Sequence, residues 1–237
     1  MSIDAVGRAG RPGSLIEAVG LYRSFGQTPA LQGASVAAGA GEILAVMGPS
    51  GSGKSTLLHC MAGIFRPDRG EVWFDGERID TLSDKKRCRL RRRDFGFVFQ
   101  FGQLIPELTA ADNIAMPLIL DRLGRRLAYA RADGWLERLG LGGLGGRRTG
   151  ELSGGQAQRV AIGRALAARP RVVFADEPTG SLDSVAGGAV MDLLTGIARE
   201  EDATVILVTH DEHVAGYADR EVTVHDGQIT AQLGGVR

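Results

Sequence analysis

The segment Glu42-Ile-Leu-Ala-Val-Met47-Gly48-Pro49-Ser50-Gly51-Ser52-Gly53-Lys54-Ser55-Thr56-Leu-Leu-His-Cys-Met-Ala62 decides the fold. It reads as a buried apolar strand, a glycine-rich turn and a helix. The turn fits the pattern G-x-x-x-x-G-K-[ST], and the strand before it and helix after it are the context that pattern requires. Glycines let backbone N–H groups converge on phosphate oxygens without Cβ obstruction, and the helix aims the positive end of its dipole at the same anion. Lys54 would reach the β- and γ-phosphates, and Ser55 would offer its hydroxyl to Mg²⁺, which prefers hard oxygen ligands. Lysine is rare here, confined to Lys54, Lys85 and Lys86. Its use in this turn marks a place that wants a compact ammonium.

Outward from this loop, strands alternate with helices, which argues for an α/β fold with a mainly parallel sheet. Leu15–Val19 and Leu31–Ala37 read as strands around a turn at Gly26-Gln27-Thr28-Pro29, and Glu71–Phe74 ends in the hairpin signal Asp75-Gly76. Such hairpins add an antiparallel part. Residues 101–158 read as an inserted helical subdomain. Arg171-Val-Val-Phe-Ala-Asp176-Glu177 is an apolar strand ending in two carboxylates. Asp176, at the strand's carboxyl edge beside the loop, suits Mg²⁺ contact through water, and Glu177 suits the polarisation of an attacking water. Far along the chain lies a second glycine-rich loop, Leu152-Ser153-Gly154-Gly155-Gln156, again before a helix and again a phosphate cradle by design.

The 237 residues carry a formal net charge of zero, so no global field draws the chain to nucleic acid. The basic run Lys85–Arg93 reads as a solvated helix face, with Leu82 and Leu90 turned inward and no aromatics interleaved. Two cysteines at no metal or disulfide spacing fit a reducing, cytosolic compartment, with Cys60 as a packed small hydrophobe. No apolar run approaches the roughly 18–20 residues that cross a bilayer. Residues 1–14 read as a disordered tail before a single ATPase domain over 15–237, so any membrane role is expected to come through a partner.

Together these motifs resemble the nucleotide-binding subunit of ATP-binding cassette (ABC) transporters. Leu152–Gln156 matches that family's signature loop, Gln100 its Q-loop glutamine, and Ser181-Leu182-Asp183 its D-loop. His210 matches its switch histidine, and Tyr22 the aromatic that stacks on adenine. The resemblance covers about Leu15 to Leu233 in the family's motif order. It implies a P-loop NTPase (RecA-like) core with an antiparallel β subdomain and an inserted helical subdomain. ATP and Mg²⁺ would be bound, with Ser55, Gln100 and Asp176 serving the metal, Gly48–Thr56 the phosphates, and Glu177 and His210 the hydrolysis.

It also implies a homodimer when ATP is bound, in which the signature loop of one chain closes over the γ-phosphate held by the other. A membrane permease would be contacted through the Q-loop and helical subdomain, placing the chain on the cytoplasmic face of the membrane. Phe97-Val-Phe-Gln100-Phe-Gly-Gln-Leu-Ile-Pro106-Glu-Leu-Thr109, with Asn113 and Pro117, resembles the lipoprotein-releasing and macrolide-export ATPases. Gly102 and Gln103 depart from the bulkier pair usual there and are expected to face the permease. Only roughly 100 residues separate Lys54 from Ser153, too few for the coiled coil of a DNA-repair ATPase, and one cassette excludes a translation-factor type. A soluble ABC ATPase of iron–sulfur assembly or cell-division regulation is the remaining alternative.

Overall fold

The computed structural model describes residues 13–100 and 102–234. Strands β1 (Ser14–Phe25) and β2 (Thr28–Gly39) form a hairpin longer than expected at both ends. The alternation breaks at Gly20 (φ +56°), where the register shifts between Ala18 and Leu21. A bulge there re-phases the strand and lets it run on to Phe25. Thr28 and Pro29 pair with Phe25 and Ser24 as strand residues, leaving Gly26-Gln27 as the turn. Proline is tolerated because β2 is an edge strand. The expected tail lies outside the described residues except for Gly13 and Ser14, and Ser14 already pairs with Gly39.

The chain continues through β3 (Ile43–Met47), α1 (Lys54–Met61), and the hairpin β4 (Arg69–Phe74) and β5 (Glu77–Arg78). Next come α2 (Asp84–Arg93), β6 (Phe95–Phe99), α3 (Ala110–Leu120), α4 (Arg125–Arg138), a single 3₁₀ turn at Thr149–Glu151, and α5 (Gly154–Leu166). β7 (Val172–Asp176), α6 (Ser184–Glu200), β8 (Thr204–Val208), α7 (Glu212–Ala215), β9 (Arg220–His225) and β10 (Gln228–Gly234) complete it. The basic run is the helix α2, and Leu82 and Leu90 turn inward as expected. Helix α3 runs through Pro117.

Two sheets result. A four-stranded antiparallel sheet has the order β2-β1-β4-β5; a six-stranded sheet has the order β10-β9-β3-β8-β7-β6, parallel except for β10. The central strands are apolar on both faces because both are covered. Val173, Ala175, Val205 and Leu207 face a core shared with α3 to α6; Val172, Phe174, Ile206 and Val208 face one shared with α1 and the antiparallel sheet.

Register then builds the site. Val46 of β3 pairs with Val208 of β8, Val208 with Asp176 of β7, and Asp176 with Phe99 of β6. One straight row crosses four parallel strands at their carboxyl ends. The residues that follow it are Met47 before the glycine loop, Thr209 and His210, Glu177, and Gln100. This is the edge at which open α/β sheets take ligands.

Candidate nucleotide site

The loop Gly48–Gly53 is held from behind. A Cβ on Gly48 would lie 2.2 Å from the Val224 carbonyl oxygen, and one on Gly53 2.3 Å from that of Ala30, so only glycine fits this close backbone approach. Pro49, Ser50 and Gly51 are exposed, and Thr56 follows on the first turn of α1. Gly53 caps α1 without any side-chain hydrogen bond, which leaves the helix N–H groups open to an anion. Lys54, almost buried, curls back to donate to the carbonyls of Gly48 (2.7 Å) and Pro49 (2.9 Å). Ser52 Oγ is buried with no partner. A charged donor parked on its own loop and an orphaned hydroxyl fit a pocket shaped for phosphate oxygens.

Ser55 Oγ donates to Asp176 Oδ1 at 3.0 Å, joining α1 to β7 across the row. Burial pushes the Asp176 carboxyl above its ordinary value; the Ser55 hydrogen bond and the charges of His59 and Lys54 oppose this, while Glu177 adds to it. A hydroxyl and a desolvated carboxylate beside a phosphate cradle suit a hard divalent cation that keeps water in its shell. Among the described residues there is no cluster of three or more His, Cys, Asp and Glu for a metal cage.

Glu177 sits in the left-handed region, φ +48°, which costs a non-glycine residue about 1–2 kcal/mol. Its N–H donates to the Val208 carbonyl at 2.9 Å and its own carbonyl accepts from Gly180 at 3.1 Å. The turn therefore holds the side chain out beside β8. There Glu177 Oε1 lies 2.7 Å from His210 Nδ1, and Thr209 Oγ1 donates to Oε2 at 3.4 Å. His210 is the exposed partner, so the pair opens to solvent on the loop side.

Gln100 lies against Gly180, where a Cβ would meet its Nε2 at 2.8 Å, and its carbonyl accepts from Ser181 Oγ at 2.7 Å. The structure thus joins Gln100 to the Ser181–Asp183 turn; no hydrogen bond links it to Ser55 or Asp176. Two further side chains, not singled out from sequence, fix the same stretch. Gln158 Nε2 donates to the Phe99 carbonyl at 3.0 Å, and Arg164 donates to those of Gly102 and Gln103, both at 2.7 Å. Gln158 is buried, and burial draws the Arg164 pKa below the ordinary guanidinium value. The available signal was a polar residue on an apolar helix face. Gly102 itself is buried against Gln158, contrary to the expectation that it faces a partner, whereas Gln103 is exposed.

The second glycine motif is less a loop than a helix start. Ser153 caps α5, and Gly154 and Gly155 are its first two residues. Ser153 Oγ accepts from Gln156 N–H at 3.3 Å while Gln156 Oε1 accepts from Ser153 N–H at 2.9 Å, a closed capping box. The N–H groups of Gly154 and Gly155 stay available beside the exposed Ser153. A Cβ on Gly154 would meet Leu182 at 3.2 Å, so this helix start leans on the turn that Asp183 ends by capping α6. Leu152 packs into the helical core. Tyr22 is exposed on β1 with its hydroxyl over Gly33; Phe25, at the hairpin tip, is a second exposed aromatic.

Comparison with known proteins agrees with this edge. The ABC transporter family model matches residues 31–180. "Lipoprotein-releasing system ATP-binding protein LolD 2" of Rhodopirellula baltica is 42% identical over 228 residues, covering 92% of this chain and 89% of that protein. The protein of the same name from Caulobacter vibrioides is 44% identical over 207 residues, 87% of this chain and 91% of its own length. Among solved structures, the dimeric post-hydrolysis state of the ATP-binding cassette MJ0796 with ADP and Pi superimposes with a TM-score of 0.85 at 36% identity, covering 92% of this chain and 98% of that one. With a glycine cradle, a two-carboxylate strand end and a capped second glycine helix start in one chain, these matches leave one assignment: the chain belongs to the ABC transporter ATP-binding family.

Proposed function

We propose that this chain is the ATP-hydrolysing subunit of an ABC transporter of the lipoprotein-releasing type, working as a homodimer under a membrane permease. The observation that carries the reading is the row Val46-Val208-Asp176-Phe99, which delivers the phosphate cradle, Glu177, His210 and Gln100 to one edge. Gly48–Thr56 would hold the triphosphate, with Lys54 leaving its two loop carbonyls for the phosphates. Tyr22 would stack on adenine, with Phe25 the other aromatic placed to do so. Ser55, Asp176 and Gln100 would hold Mg²⁺, which when bound neutralises charge on the β- and γ-phosphates. Glu177 would take the proton of the attacking water as His210 orients it. The exposed N–H groups of Gly154 and Gly155, with Ser153, would close on the γ-phosphate held by a second copy.

Similarity to proteins named for lipoprotein release supports the transport class. A groove of about 580 Å³ between α2, β6, α3 and α5, lined by Phe97, Phe99, Gln103, Pro117 and Leu120, supports a partner site next to Gln100. An apolar cleft with a few polar groups suits an amphipathic permease helix. The test is Glu177→Gln: binding of ATP retained, turnover lowered by about 10²–10⁴, and a stable dimer on gel filtration that captures a permease from membranes. Near-normal turnover would overturn the assignment of Glu177; capture of a soluble complex alone would overturn the transport reading.

A further inference from the structure

The long basic run is only partly spent on contacts within the chain. In α2 only Arg87 is buried. Arg87 and Arg91 turn inward to the Gly63 carbonyl. Arg92 and Arg93 converge on one carboxylate, Asp121, at 3.3 and 2.7 Å, which leaves one positive charge over. Lys85, Lys86 and Arg89 are exposed and make no ion pair among the described residues.

Facing them is the end of α3. There Leu123 N–H bonds to the Leu118 carbonyl and Arg122 N–H to that of Ile119, a Schellman closure. Its left-handed position, usually glycine, is Arg122 at φ +70°. A cavity of about 520 Å³ opens between the two elements, lined by Lys85, Arg89, Arg92, Arg93, Arg122 and Asp121 together with Cys88. Five cations against one carboxylate is a strong local excess in a chain of zero net charge. Leu120, next to Asp121 in the chain and lining the adjoining groove, and Leu127, on the first turn of α4, stand exposed at 58% and 60%.

We propose that this surface, α2 with the turn after α3, docks on the anionic phospholipid headgroups of the membrane. Clustered Lys and Arg collect anionic lipid, and leucines exposed among them suit the boundary between headgroups and acyl chains. No aromatic lines the cavity, so a stacked base finds no platform. The cavity adjoins the apolar groove, sharing Cys88 and Arg92 with it. That this face is turned to the bilayer rests on the permease reading above. The lipid contact then adds a direct hold beside the one made through the permease.

The test uses the purified full chain and co-sedimentation with vesicles of phosphatidylcholine alone or with about one third phosphatidylglycerol. Binding is expected only to the anionic vesicles, and to fall as salt is raised from about 0.1 to 0.5 M. Lys85→Glu/Arg89→Glu/Arg122→Glu should lose on the order of a hundredfold in binding while keeping basal ATPase activity. Should that variant not fold, the neutral pair Lys85→Gln/Arg122→Gln should lose about tenfold. Binding indifferent to phosphatidylglycerol, binding unchanged in the folded variants, or a preference for duplex oligonucleotide overturns the site. Permease capture by Glu177→Gln without vesicle binding overturns the lipid site alone. Vesicle binding without permease capture keeps the lipid site and removes the permease reading.

Discussion

Asp176 shows how the site burdens the fold at the level of one residue. Burial raises its pKa, so the folded chain holds its proton more tightly than the unfolded chain does. The sign follows: between the ordinary carboxylate value and the raised one, stability falls as pH rises, and above both the cost of the buried charge is constant. Asp176→Asn keeps an oxygen to accept from Ser55 and removes that cost. The variant should melt higher than the parent at pH 7, the gain should shrink as pH drops into the carboxylate range, and ATP turnover should be lost. Thermal unfolding across pH measures it; a variant less stable at pH 7 would contradict the burial argument. Glu177 carries its own burden in its left-handed backbone. Both sit where function asks for a geometry that the fold alone would avoid.

Among the elements, α5 does two jobs from opposite ends. Its start is the second glycine motif; near its end Arg164 holds the carbonyls of Gly102 and Gln103 on the strand-to-helix connection that lines the groove. Arg164→Ala should leave two carbonyls short of donors and cost about 2–4 kcal/mol, read by urea unfolding. ATP affinity should be spared, whereas permease-stimulated turnover should fall more than basal turnover; Arg164→Lys should restore part of it. Equal loss of both rates would reduce Arg164 to a structural brace. Sequence reading found the strands and the glycine motifs because apolar runs and phosphate loops have fixed residue types. The partners of Arg164 and Gln158 were not legible: a polar residue on an apolar helix face is a signal, but their targets are backbone carbonyls at the end of β6 and just after it, which no residue type announces. The extent of β1 was missed for a related reason: a bulge at Gly20 hides the alternation on either side of it.

For the whole molecule, the two glycine motifs are separate sites on one chain, the first at the sheet edge and the second against Leu182 and Ala186. In the proposed homodimer each would be completed by the other copy. Ser153→Trp should cost only about 1 kcal/mol of helix cap, leave ATP binding by the single chain near normal, and abolish dimerisation and turnover. Sedimentation velocity with ATP in a Glu177→Gln background decides it; a surviving dimer would show that closure does not pass through this helix start. The capping box of Ser153 and Gln156 adds a statement about time. The edge proposed to meet the partner is already folded in the single chain, so shutting would wait for collision and not for local ordering. How long the pair stayed shut would then be left to bond cleavage in the nucleotide. A rigid edge of this kind would turn the dimer into a clock whose tick is chemical.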